Sequence, residues 1–221
     1  MTRVTTKPAF DRDYAARQLR RRRNPLRRAI KHFYLNNMLR EVRGRTIDLG
    51  FGAGQLLERL PAGSLGLEVN PHLVDDARRA GLNAVLYDSD AEQPLLGIVP
   101  PDTYSTLVVA HVLEHIENAD DFLRRMLRSC AALGIKRVIF VVPGAKGYGF
   151  DSTHRTFVNL RYLTNHKLLS CERYAISKTR YFPGNREWIG RYYVFHEFMF
   201  VYDLQVDRAV VKASGQADGW A

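Results

Sequence analysis

Residues 46–57 read Thr-Ile-Asp-Leu-Gly-Phe-Gly-Ala-Gly-Gln-Leu-Leu, a short apolar strand running into three glycines at alternate positions and then into a helical repeat. Glycines in such a turn let the backbone bend sharply and approach a ligand where side chains would collide. A helix predicted from about Gln55 to Leu60 would point unpaired N–H groups and a positive dipole end at that ligand. In an open α/β sheet, ligands collect at the carboxyl ends of the strands, near the point where strand order reverses. The turn therefore predicts both a sheet architecture and the place of a site within it.

The rest of the chain follows the same alternation. Apolar strands are expected at Ser64–Val69, Ala84–Tyr87, Tyr104–Ala110 and Arg137–Val142, with helices at Pro71–Ala80 and Asp120–Leu133 between them. The stretch up to Ala110 is apolar enough for a central strand covered on both faces. Such alternation implies a parallel, doubly wound sheet. Tyr174–Tyr181 and Glu197–Leu204 flank turn material at Pro183-Gly184-Asn185 and are expected as an antiparallel pair at the sheet edge, giving seven strands in all. No internal repeat and no second domain are evident. The expected division is a basic arm and helix over 1–44 and an α/β domain over 45–221.

Charge sets the first 45 residues apart. They hold 14 Lys/Arg against 3 Asp/Glu, or +11, and the remaining 176 hold 19 against 20, or −1. Within this segment Asn24 reads as a cap and Pro25 as the first position of a helix. Leu26, Ile30, Phe33, Met38 and Val42 fall near helical spacing, so Phe33 and Tyr34 are expected in the core. The start has no signal-peptide core and no run approaches the roughly 18 residues that cross a bilayer, so a cytoplasmic protein is expected. Cys130 and Cys171 stand far apart in no metal-type spacing.

Spacing distinguishes two nucleotide-site patterns. Dinucleotide-binding oxidoreductases prefer G-x-G-x-x-G, whereas this chain has Asp48-x-Gly50-x-Gly52-x-Gly54. Glu68 follows at the end of the second strand, where a carboxylate accepts hydrogen bonds from ribose hydroxyls. Asp88-Ser89-Asp90-Ala91-Glu92 follows the third strand, and His111-Val112-Leu113-Glu114-His115 the fourth. These four elements, in this order and at strand ends, resemble the class I S-adenosylmethionine-dependent methyltransferases, over roughly residues 44–160. The resemblance implies a Rossmann-like fold, S-adenosylmethionine as cofactor and S-adenosylhomocysteine as product. It implies a cofactor site of Asp48, Gly50, Phe51, Gly52, Gly54, Glu68 and Val69. Asp90 and Ala91 would stand beside the adenine, and His111 at the methionine end.

Methyl transfer from a sulfonium needs an aligned acceptor and, for a hydroxyl, a general base. His154, in the segment Gly149–Phe157 that resembles a D-x-T-H-x-x-F stretch of small methyltransferases, is the first candidate, with Thr153 and Asp151 orienting its ring. His115 is the second; His32, His72, His166 and His196 are expected at the surface or in packing. The loop Pro143–Gly149 is expected as a lid. His111-x-x-Glu114-His115 also matches an inverted zinc-protease pattern. That site needs both histidines on one helix face, and His111 ends a strand, so no metal is expected.

The acceptor is read as a hydroxyl- or amine-bearing small molecule, a glycan or a lipid-linked compound. Arg20, Arg21, Arg22, Arg23, Arg27 and Arg28 would alternatively hold RNA phosphates or an anionic membrane surface. The apolar stretch Trp188–His196 is expected in an edge hairpin. A non-catalytic protein that binds the cofactor and partners another enzyme is the remaining alternative.

Overall fold

The computed structural model describes residues 12–23, 25–87 and 95–205, with the backbone alone for 21–23 and 25–30. Asn24, Asp90 and Ala91 thus lie outside the described residues. Helices α1 (Arg12–Arg23) and α2 (Pro25–Leu39) precede the sheet. Strands β1 (Thr46–Leu49), β2 (Leu65–Glu68), β3 (Ala84–Leu86), β4 (Thr106–Ala110) and β5 (Arg137–Pro143) follow, with α3 (Pro71–Arg79) and α4 (Ala119–Ala132) as crossovers. The chain continues through α5 (Ala145–Gly149), α6 (Leu160–Asn165), β6 (Ser170–Cys171), β7 (Tyr174–Phe182) and β8 (Glu197–Leu204).

The sheet runs β3-β2-β1-β4-β5-β8-β7-β6. β1 to β5 pair in parallel, β8 runs antiparallel between β5 and β7, and the two-residue β6 adds an eighth strand to the seven expected. Strand order reverses between β1 and β4, which opens a crevice at their carboxyl ends. Side-chain alternation assigns the two faces. Leu107 and Val109 of β4, with Val138, Phe140 and Val142 of β5, share a core with Phe122, Leu123, Met126 and Leu127 of α4. Those α4 residues recur at one- and four-residue intervals, a single helical stripe. Burying each contributes about 1.5–3 kcal/mol.

The opposite face is closed by α2. Leu35 and Met38 pack on Val108, Ile139, Val141, Met199 and Val201, so this helix is part of the main core. Tyr34 is buried as expected, but Phe33 is 67% exposed and stacks on Phe182 at 6.3 Å. Two residues amount to about 200° of helical rotation, which turns Phe33 away when Leu35 faces the sheet. The polar arm before it contains α1, whose Ala15 is buried against the cluster of Phe51, Leu57, Leu73 and Val74. Arg137 binds the Asp203 carboxylate through two nitrogens (2.7 and 2.8 Å) and reaches Glu41 at 3.3 Å, tying β5 to β8 and to the segment after α2. Hydrogen bonding from Arg137 holds the Asp203 carboxyl below its ordinary range.

Two sequence expectations change. Residues 55–60 form only a turn of 3-10 helix at Leu57–Arg59, so no extended dipole faces the glycine turn. The Trp188 stretch is part of a hairpin as expected, forming a 3-10 turn at Glu187–Arg191 between β7 and β8, but β6 and not this hairpin takes the sheet edge. Among the described residues no helix is long and apolar enough to cross a membrane.

Candidate functional site

The glycine turn takes its shape from positive φ at Gly50 (73°), Gly52 (55°) and Gly54 (78°), a region that penalises any Cβ. Gly50 donates its N–H to the Leu67 carbonyl at 2.7 Å, which closes the turn onto β2. A side chain at Gly50 would collide with Val112, its Cβ only 2.4 Å from Cγ2, whereas a Cβ at Gly52 would meet nothing within 4 Å. Gly52 therefore faces open space while its neighbours are packed. Phe51 is buried in the cluster under α3, so its ring anchors the turn and only its backbone lines it.

Glu68 closes the other wall. One oxygen accepts from Gly52 N–H at 2.9 Å, and the other from Val69 N–H (2.8 Å) and Asn70 N–H (3.0 Å). Burial raises the Glu68 pKa and these three donors oppose the rise. Val69 itself is half-buried against the main core. Asp48, next to Glu68 in the sheet's interior, is 2% exposed, and its Oδ2 has no hydrogen-bond partner. Burial lifts its carboxyl to about 7 despite the attraction of Lys31. An orphaned buried carboxylate oxygen beside an open glycine face suits a ligand carrying both positive charge and donors. The residues present thus fit the sulfonium nucleoside expected from the sequence.

Five more side chains meet beyond β4. His111, at φ 57°, places its ring between Glu114 (Nδ1···Oε1 3.2 Å) and Glu197 (Nε2···Oε1 2.8 Å). Desolvation lowers its pKa, but the two carboxylates prevail and push it up to about 10. It is an imidazolium bridging β4 and β8 at neutral pH. Glu114 and His115 lie in a 3-10 turn, Leu113–His115. Arg155 and Thr156 both donate backbone N–H to the Glu114 carbonyl (2.7 and 3.2 Å), which stitches the later loop to that turn. The His115 and His154 rings consequently meet edge to face at 4.7 Å.

The hydrogen bonds fix the histidine tautomers. His154 Nδ1 lies 2.8 Å from the Tyr148 carbonyl, an acceptor only, so that nitrogen carries the proton. Thr153 gives its one hydroxyl proton to Asp151 at 2.7 Å, so its 3.1 Å contact with His115 Nδ1 is donated by the ring. Each neutral ring then keeps its lone pair on Nε2. Thr153 and Asp151 orient His115, not His154 as the sequence suggested. Burial, with His154 as neighbour, lowers the His115 pKa.

A cavity of about 390 Å³ adjoins this cluster, walled by Phe157, Tyr181, Trp188 and Phe198, with Asn159 and Arg191 among its polar residues. Phe157 packs on Tyr148, which stacks on His154, so the cavity wall connects to the histidine pair through Tyr148. His196, expected in packing or at the surface, is buried on the cavity wall, where burial lowers its pKa against the backbone of Gly184 and Arg186, and the Tyr181 hydroxyl beside it faces Glu187. No sequence signal marked His196, because its position depends on β8 starting beside the end of β5. The expected lid is instead the short helix α5, held by Gly144 N–H on the His196 carbonyl (2.7 Å) and Lys146 on the Tyr192 carbonyl (2.8 Å).

Residues 47–136 match the family model of a methyltransferase domain. Solved structures of similar fold include a methyltransferase from Haloferax volcanii in complex with the Trm112 activator. It is 15% identical, with a TM-score of 0.63 over 91% of this chain and 100% of that one. The magnesium protoporphyrin IX methyltransferase of Synechocystis PCC 6803 with bound S-adenosylhomocysteine is 14% identical (TM-score 0.61, 90% and 97% covered). An S-adenosylmethionine-dependent methyltransferase from Archaeoglobus fulgidus is 16% identical (TM-score 0.60, 86% and 99% covered). No curated protein sequence matches the chain.

Proposed function

We propose that this chain, a class I S-adenosylmethionine-dependent methyltransferase, methylates a hydroxyl or amine on a small acceptor seated in the aromatic-walled cavity. The cofactor supplies an electrophilic methyl group on a sulfonium. Asp48, Gly50, Gly52, Gly54, Glu68 and Val69 would hold it, with the Phe51 backbone, Asp90 and Ala91 completing the nucleoside side and His111 the methionine side. A carboxylate has about four lone-pair sites, and Glu68 spends three on backbone donors. Gripping both ribose hydroxyls would therefore cost it one backbone bond, and the Gly52 N–H on its separate oxygen is the one to yield.

The observation that carries the acceptor reading is the cavity beside the histidine pair. Its volume of about 390 Å³ lies within the range of small-ligand pockets. Aromatic walls suit an apolar or planar body, or the head of a glycan or lipid-linked compound. The Tyr181 hydroxyl and the His196 ring on the cavity wall suit a polar substituent. An acceptor long enough to pass Tyr148 from the cavity would meet the Nε2 lone pairs of His154 and His115, and general-base help there would contribute about 10²- to 10⁴-fold to the rate. The RNA and membrane readings rest largely on Arg21, Arg22, Arg23, Arg27 and Arg28, whose side chains lie outside the described residues; no observation favours them.

The test is incubation with isotope-labelled S-adenosylmethionine and a panel of small aromatic alcohols and amines, read by mass spectrometry. Labelled product is expected, with Trp188→Ala raising KM at least about tenfold and leaving cofactor affinity unchanged. Transfer only to RNA, or turnover indifferent to both Trp188→Ala and His196→Ala, would refute this acceptor site.

A further inference from the structure

We propose that Glu114, His115 and His154 form a binding site for a divalent transition-metal cation of the zinc class. A donor atom from each of the three lies within 4.8 Å of the others. The residues come from two segments far apart in sequence, and the Arg155 and Thr156 hydrogen bonds to the Glu114 carbonyl hold them together.

Three features make this more than a polar cluster. Glu114 is 1% exposed, and its Oε2 has no hydrogen-bond partner, although His111 occupies Oε1. A buried carboxylate oxygen with no partner carries a desolvation cost that a cation would offset. Both histidines direct Nδ1–H away from the cluster, His154 to a backbone carbonyl and His115 to a hydroxyl itself bound to a carboxylate. Metal-ligating histidines use their second nitrogen in this way, because the bond fixes ring orientation and raises the basicity of the ligating nitrogen. The spacing is also near what a metal needs. In a tetrahedral site with bonds of about 2.0–2.1 Å two ligand atoms stand about 3.3 Å apart. His154 Nε2 comes within 4.0 Å of the Glu114 carboxylate, at Oε1, the oxygen His111 also contacts, which leaves Oε2 as the oxygen for a cation.

Two imidazoles and one carboxylate favour zinc, iron or cobalt over magnesium, which prefers an all-oxygen octahedron. Three protein ligands leave a fourth position open, and the nearest cavity is the acceptor's. A cation held by both Nε2 atoms would take over from the histidines as the means of easing the proton off an acceptor hydroxyl, since their lone pairs would then be taken up by the metal. That consequence rests on the proposed function; the cation site itself does not.

The test uses the full chain, stripped with chelator and dialysed against zinc sulfate, with bound metal measured by elemental analysis and site geometry by the visible spectrum of the cobalt(II) form. One equivalent of zinc is expected. His115→Ala and His154→Ala should each weaken binding by at least about 100-fold, and Thr153→Val, which touches no metal, by about 10- to 100-fold. His72→Ala, on α3, should bind as the wild type does. If a histidine variant fails to fold by circular dichroism, the exposed Thr153→Val decides. Substoichiometric zinc in the wild type, or Thr153→Val and His154→Ala indistinguishable from His72→Ala, overturns the site. Calorimetry with S-adenosylmethionine on the same metal-free protein separates the two readings. Cofactor binding without zinc binding refutes the cation site alone, and zinc binding without cofactor refutes the methyltransferase reading alone.

Discussion

Replacing Asp48 with asparagine tests how the cofactor site trades stability for function. The carboxyl is 2% exposed, one of its oxygens is unpartnered, and burial raises its pKa from 3.8 to about 7. A folded-state pKa above the unfolded value means that the unfolded chain loses this proton first as pH rises. Between about pH 4 and pH 7 the native state binds more protons, so the wild type loses stability with rising pH and levels off above 7. About three pH units correspond to about 4 kcal/mol, more than half of which develops between about pH 5 and pH 8. An asparagine side chain cannot ionise, so the variant escapes this loss. Urea unfolding of both proteins at about pH 5, 6.5 and 8 reads the difference directly. The stability of Asp48→Asn relative to wild type should rise by about 2–3 kcal/mol across that range, while S-adenosylmethionine affinity falls. A difference that stays flat within about 0.5 kcal/mol would refute the account, because the charge would then be solvated or paired.

Gly52→Val should abolish cofactor binding measured by calorimetry, because its side chain would enter the open face that a Gly52 Cβ already points into. The positive φ adds a stability cost of about 1–2 kcal/mol. Glu68→Ala should weaken cofactor binding by about 1.5–3 kcal/mol, the range for hydrogen bonds to a charged group. Arg137→Ala should lower unfolding stability by about 3–5 kcal/mol, since it leaves buried Glu41 and Asp203 with less compensation. The Asp203 share of this bridge is complete above the ordinary carboxylate pKa and vanishes as pH falls through the depressed folded value, which acid titration of the wild type and variant will resolve.

The parallel half of the sheet was legible because buried strands are continuous apolar runs, and the crevice because Asp48, the glycines and Glu68 occupy fixed offsets from strand ends. Other features depended on contacts distant in sequence. Whether Gln55–Leu60 would form a full helix was decided by its hydrogen bonds, with Arg59 N–H on the Leu56 carbonyl (2.8 Å) and Leu60 N–H on the Leu57 carbonyl (3.3 Å) reaching three residues back instead of four. Helical spacing placed Phe33 in the core, but which stripe of α2 meets the sheet was set by Leu35 and Met38. Nothing local distinguishes His196 from the other histidines, and local pattern pairs Thr153 with the histidine beside it in sequence. Their neighbours in space come from β8 and from the turn after β4, and the nearby sequence carries no record of either.

The position of β8 has a consequence for biosynthesis. This strand is made after both of its neighbours, yet it fills the gap between β5 and β7. Until residues 197–204 emerge from the ribosome, the seven-residue apolar β5 presents one bare edge to other nascent chains. A product cut short before Glu197 would keep the whole glycine turn yet expose that edge. Fragments ending there should aggregate, and chaperone demand should peak late in translation.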